Sequence, residues 1–171
     1  KMYAYHFNGY WKDVGTISSL WEANMEVLDP EHSGINLFDN NWKIYSRNSG
    51  MTGHKISASA DVHDSMITDG CRIKGTVKHS VLFAGVKVAE GAVVEDAVVM
   101  GGTTIERGAV VRHCIIAENV TIKENAVVGA MPEGDEHGVA TVGSGITIGE
   151  GSVIGPKAMV RNNVEGGEEQ W

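Results

Sequence analysis

Three stretches decide the fold: Gly91-Ala92-Val93-Val94-Glu95-Asp96-Ala97-Val98-Val99, Gly108-Ala109-Val110-Val111-Arg112-His113-Cys114-Ile115-Ile116 and Asn125-Ala126-Val127-Val128. Laid over one another at a spacing of 17 residues, they place Val94 on Val111 and Val128, Val99 on Ile116, and Ala92 on Ala109 and Ala126. Working outward, aliphatic side chains recur at Val77, Leu82, Val88, Val94, Val99, Ile105, Val111, Ile116, Ile122 and Val128, in steps of 5, 6 and 6 that repeat. The beat stops from Gly129 to Thr141 and returns at Val142, Ile148, Ile154 and Val160. Upstream it continues less regularly through Ile67 and Ile73. Such steps cannot hold one face of a helix that turns every ~3.6 residues. The frequent glycine and asparagine also oppose a helix.

A solenoid explains the pattern. Each hexad makes one short strand and one tight turn, and three hexads close a triangular coil of about eighteen residues. The aliphatic residue points inward and the small residue four later packs the corner. Glycine or asparagine takes the left-handed backbone of the turn. The expected fold is all-β: a single-stranded, left-handed parallel β-helix over residues 53–161, an exception to the usual right-handed crossover. An antiparallel sandwich would need hairpin dipeptides at strand spacing, and these are missing. Residues 129–141 are expected to leave the prism as a loop, and 162–171 to form an exposed acidic tail, with Trp171 able to dock.

Composition narrows the function classes. The 171 residues carry 14 basic and 22 acidic side chains, a net charge of −8. No basic patch is dense enough to follow a nucleic-acid backbone, and no apolar run is long enough to span a bilayer. Neither nucleic acid nor membrane is therefore expected as a partner. Cys71 and Cys114 make no disulfide framework, which fits a reducing cytoplasm. The chain starts at Lys1 without an initiator Met and is expected to be a piece of a longer protein.

Residues 1–52 follow different rules. Met2–Phe7 and Trp42–Ser46 are expected as strands. Thr16 is a candidate N-cap for a helix running to about Leu28, with Ile17, Leu20, Trp21 and Leu28 on one face and Asp29-Pro30 ending it. So few elements bury little by themselves. They read as the end of a larger α/β domain plus its linker.

Tyr10-Trp11-Lys12-Asp13-Val14-Gly15-Thr16, followed by Trp21-Glu22-Ala23-Asn24-Met25, resembles bacterial glucose-1-phosphate adenylyltransferase, also called ADP-glucose pyrophosphorylase. The resemblance continues through Trp42-Lys43-Ile44-Tyr45-Ser46, Ser80–Val86 and Glu95–Met100, in the family's order. That family joins an N-terminal nucleotidyltransferase domain to a C-terminal left-handed β-helix, and the match is to the C-terminal part. The family's linker proline pair is replaced here by Ser49-Gly50-Met51-Thr52-Gly53.

The resemblance implies reaction of ATP with glucose 1-phosphate to give ADP-glucose and pyrophosphate for glycogen synthesis, with Mg2+ as cofactor. It also implies a homo-oligomer, a tetramer in this family, and a metabolite effector. Asp13 matches one of the family's Mg2+-binding carboxylates. Read from the residues alone, the plainer reading of Asp13 is a turn or cap aspartate before a helix start. The nucleotide loop and the sugar-phosphate lysine of the family have no counterpart in this chain, so no catalytic or cofactor-binding residue is assigned and the chain alone is expected to be inactive. The family's Asp-Lys-Asn effector motif reads Ala117-Glu118-Asn119 here, and Glu118 opposes an anionic activator at that position.

Other candidates take plainer readings. Cys114 and Cys71 are expected in the interior and His113 outside. Met66, Met100 and Met159 are expected as core or edge packing, and Glu133, Asp135, Glu136 and His137 as a solvated loop. Two alternatives stand beside the adenylyltransferase: a hexapeptide-repeat acyltransferase using His137 as base, and a non-catalytic regulatory paralogue.

Overall fold

The computed structural model describes residues 1–46, 48–133 and 138–171. From Lys55 onward the chain winds into a parallel β-solenoid of about seven turns. The first face is a six-stranded sheet of Lys55–Ile56, Arg72–Ile73, Lys87–Val88, Thr104–Ile105, Thr121–Ile122 and Thr147–Ile148. The second runs through Asp61–His63, Thr76–Lys78, the first halves of Val93–Val99 and Val110–Ile116, Val127–Val128, Val153–Ile154 and Glu169–Gln170. The third holds Met66–Ile67, Val81–Leu82, the second halves of the same two long strands, Ala140–Val142 and Met159–Val160.

The register is the one the repeat predicts. Val77, Val94, Val111, Val128 and Ile154 pair in succession on the second face, and Leu82, Val99, Ile116, Val142 and Val160 on the third. All are at most 3% exposed. Stacking closes the strand edges of each coil except the first and last. Each buried aliphatic contributes about 1.5–3 kcal/mol relative to exposure, so this interior column supplies most of the stability.

The corners also follow the sequence. Ala92, Ala109 and Ala126 are fully buried, each preceded by a left-handed residue: Gly91 at φ 76°, Gly108 at 69° and Asn125 at 58°. A second corner lies at Asp64 and His79, between short strands, and at Asp96 and His113, inside the two long ones; φ values of 42–50° let the chain bend there while pairing continues on both sides. Only Asn, Asp and His tolerate that conformation well among non-glycine residues. Gly129 tolerates no side chain: it has φ +73°, and a Cβ there would stand 2.0 Å from the Arg112 carbonyl oxygen.

Several expectations are corrected. Met2–Phe7 and Trp42–Ser46 form no strand and are exposed, because their backbone finds no strand to pair with among the described residues. The interruption ends earlier than expected. Val139 is 7% exposed, Ala140 is fully buried, and the strand Ala140–Val142 has already rejoined the third face. Asp135, Glu136 and His137 lie outside the described residues. In the 162–171 segment the side chains are mostly exposed, but the backbone adds a last partial coil. Val164 bridges Ile148, and Glu169–Gln170 pairs with Val153–Ile154.

Both cysteines sit in the interior at 0% exposure. The Cys71 thiol donates to the Phe83 carbonyl at 3.2 Å, and burial raises the pKa of both thiols, that of Cys114 far above its ordinary value. Native protein at neutral pH is therefore expected to resist alkylation by iodoacetamide, with both sites reacting once unfolded; peptide mass mapping before and after denaturation checks this. Rapid native labelling of Cys114 would contradict the packing described.

Candidate functional site

The segment that carries the family-like motif is tied to the prism by one helix. Helix α1, Ile17–Glu26, starts at the predicted cap. The Thr16 side chain accepts from the Ser19 backbone at 3.1 Å, and Ser19 Oγ accepts from the Thr16 backbone at 3.0 Å. This reciprocal cap is worth about 1 kcal/mol. A short second helix, α2, Pro30–Ser33, follows at once, capped by Asp29.

The buried face of α1 is Leu20, Trp21 and Met25, with Val27 and Leu28 beyond the helix end. Ile17, expected on this face, is 38% exposed. That stripe lies on the outside of the third prism face, over Val81, Val98 and Ile115. The doublets Val81-Leu82, Val98-Val99 and Ile115-Ile116 are therefore buried on both sides, one residue toward the interior and one under the helix. Aliphatic doublets at these positions were the available sequence signal for a covered face.

Trp21 is the anchor. Its indole N–H donates to the Asp96 carbonyl at 2.7 Å, and its ring lies 4.5 Å from the His113 ring, centroid to centroid, tilted by 58°. His113, expected outside, is 6% exposed, because α1 covers its corner. Asp96 also meets His79 Nδ1 at 2.5 Å. Beside this contact is a cavity of about 390 Å³ lined by Ser18, Trp21, Glu22, Asp96, His113, Met131, Pro132 and Val139.

Helix α1 in turn holds the Tyr10–Thr16 loop. Tyr10 Oη donates to Glu26 Oε2 at 2.7 Å, and Lys12 Nζ reaches Glu22 Oε2 at 2.9 Å and Glu26 Oε1 at 2.5 Å. The Lys12 hydrogen bond, with that of Tyr10 behind it, holds the Glu26 carboxyl below its ordinary pKa. The two glutamates raise Lys12, and Glu26 raises Tyr10. The contact is thus charged on both sides at neutral pH. Asp13 sits at the exposed apex of this loop, its Oδ1 accepting from Gly15 N–H at 3.0 Å. The turn reading of Asp13 therefore holds, and Oδ2 is left for another partner. Among the described residues no cluster of three metal-ligating side chains exists. Mg2+ is commonly held by one or two carboxylates together with substrate phosphates, so Asp13 fits as a single ligand. Glu118, expected to oppose an anion, is an exposed corner residue distant in sequence from this loop.

A family model described as "GlmU-like, C-terminal hexapeptide" matches residues 50–149, and one described as "Nucleotidyl transferase" matches residues 1–30. A glucose-1-phosphate adenylyltransferase from Geobacillus stearothermophilus is 54% identical over 93 residues, which cover 54% of this chain and 24% of the relative. The matched stretch is thus about a quarter of that relative's length. The chain belongs to the GlmU-like, C-terminal hexapeptide family, and it resembles the C-terminal portion of bacterial glucose-1-phosphate adenylyltransferase.

Proposed function

We propose that this chain is the C-terminal part of a glucose-1-phosphate adenylyltransferase, in which the prism serves subunit assembly and regulation and the Tyr10–Thr16 loop closes one side of the catalytic site. The observation that carries this reading is the fixed attachment of that loop. Tyr10 and Lys12 bind α1, and α1 binds the prism through Trp21. A loop held this firmly at both ends of its support is suited to present a carboxylate at a set position.

In the proposed reaction a glucose 1-phosphate oxygen attacks ATP in line, ADP-glucose forms and pyrophosphate leaves. Mg2+, when bound, neutralises phosphate charge. Asp13 would hold that ion as a single carboxylate ligand, and Lys12, engaged by two glutamates, fixes the approach of the loop. The residues of this chain alone do not turn over substrate. The intact protein acts as a homo-oligomer in the cytoplasm.

The test is pyrophosphate release from ATP and glucose 1-phosphate by the longest native form of the protein, with and without Asp13→Asn. Turnover is expected, falling at least a hundredfold in the variant at unchanged fold. Turnover unaffected by Asp13→Asn would remove the metal role. Absence of turnover in the parent would favour the regulatory paralogue, and saturable coenzyme A binding in its place would favour the acyltransferase.

A further inference from the structure

The outward-facing positions of the three prism faces differ in kind. On the first face they are polar: Lys87, Thr104, Thr121 and Thr147 follow one another coil by coil. On the third they are aliphatic, and α1 covers them at Val81, Val98 and Ile115. On the second they are aliphatic as well. Val93, Val110, Val127 and Val153 stack in direct register, each one residue before a fully buried Val or Ile that points inward. These four are half-buried and belong to neither apolar cluster. Of the helices described, α1 lies on the third face and α2 has only four residues.

Parallel sheets are normally covered on both sides, and aliphatic doublets mark the strands where this holds. The second face carries that signal with no cover among the described residues, and its charges indicate what fits. Along the corner beside the valine row stand Glu90, Arg107, Glu124 and Glu150, all exposed and, among the described residues, none in an ion pair. On the other side of the row are Glu95 and Arg112, already paired at 3.1 Å. A two-fold axis along the prism would bring Arg107 against Arg112 and Glu90 against Glu95 of a second copy, like on like. A two-fold axis along the strands reverses the order of the coils. It sets Val110 on Val127 and Val93 on Val153 of the second copy, and Arg107 on Glu124 twice over. Only Glu90 and Glu150 then meet as like charges, at the two ends of the row where water and salt screen them.

We propose that the second face is a self-association surface, taken by a second copy of this chain in that antiparallel arrangement. The proposal rests on the homo-oligomer of the reading above and names its surface and its pairing. The seven strands of the face span about 29 Å, and the face is about 16 Å wide. That is less than the roughly 800 Å² each partner buries in a standard interface, so the contact is weak and forms as concentration rises. The valine row supplies the apolar area. The Arg107–Glu124 pairs fix the direction and disfavour the parallel arrangement more than they add affinity. In dilute protein the copies separate and the row lies in water.

The test is sedimentation velocity of the longest native form of the protein over a wide range of concentration. Self-association is expected, weakened at least tenfold in Val110→Asp and unchanged in Thr121→Asp, an equivalent change on the first face. Arg107→Glu and Glu124→Arg should each weaken it at least threefold, and the double variant Arg107→Glu/Glu124→Arg should regain the parent's association. These exposed corner variants keep the question open to test should Val110→Asp fail to fold. A parent that stays multimeric while every second-face variant matches it overturns this surface and leaves the homo-oligomer standing. A parent that is monomeric throughout overturns both. Equal loss in Thr121→Asp, or no recovery in the double reversal, also overturns the proposal. So does unchanged mass with a lowered melt in Val110→Asp, which would show the face covered by another part of the same polypeptide.

Discussion

Val111→Asp is expected to abolish folding of the prism, while Val110→Asp, one residue earlier, is expected to cost no more than about 1 kcal/mol. Val111 is fully buried and stacked between Val94 and Val128 in the middle coils. A carboxylate there finds no partner, and leaving even a neutral polar group unpaired in such a site costs roughly 2–7 kcal/mol. The aliphatic contacts on both neighbouring coils are lost as well. Against a typical total stability of about 5–15 kcal/mol, that removes most or all of the margin. Val110 alternates outward and is half-exposed, so an aspartate there stays in water. Thermal melts followed by far-ultraviolet circular dichroism would decide. Two variants that melt alike would mean that the inward and outward positions have been exchanged.

Trp21→Ala is expected to release the N-terminal segment and leave the prism standing. The substitution removes the indole from the His113 ring and the hydrogen bond to the Asp96 carbonyl. For a half-buried tryptophan the combined loss is about 2 kcal/mol, concentrated on one attachment. Limited proteolysis within residues 1–52 should accelerate more than tenfold, since cleavage follows the population of the opened form. The prism melt should shift little, because its interior column contains no residue of α1. Trp21→Phe, which keeps an aromatic ring and loses only the N–H donor, should fall between. Unchanged cleavage in Trp21→Ala would show that Leu20, Met25 and Leu28 hold α1 without the tryptophan.

The two variants separate what local spacing encodes from what packing adds. The interior column was legible from the residues alone. Steps of 5, 6 and 6 from Val77 to Val128 map onto the observed strand register without a slip, because in a solenoid each residue pairs with the residue one coil away. Sequence distance and spatial neighbourhood are then nearly the same thing. The Thr16 cap was legible for a similar reason, since its partner Ser19 is three residues away.

What failed were readings that depended on remote partners. His113 looked outward because its position in the repeat is a corner; it is buried because Trp21, far away in sequence, covers that corner. The same distance hid the outer aliphatic row of Val81, Val98 and Ile115, which matches the repeat as well exposed as covered. Met2–Phe7 and Trp42–Ser46 carried strand-like composition, yet a strand exists only where another edge accepts its hydrogen bonds.

By itself, then, the sequence determined the prism, its register, its corners and the start of α1, all set by contacts that recur at one short interval. The docking of α1 on the third face, the burial of His113 and the support of the Asp13 loop by Lys12 and Glu26 were decided by tertiary structure. These contacts join segments whose separation follows no period: the aliphatic doublets mark a face that can be covered, but nothing in the repeat says which segment covers it.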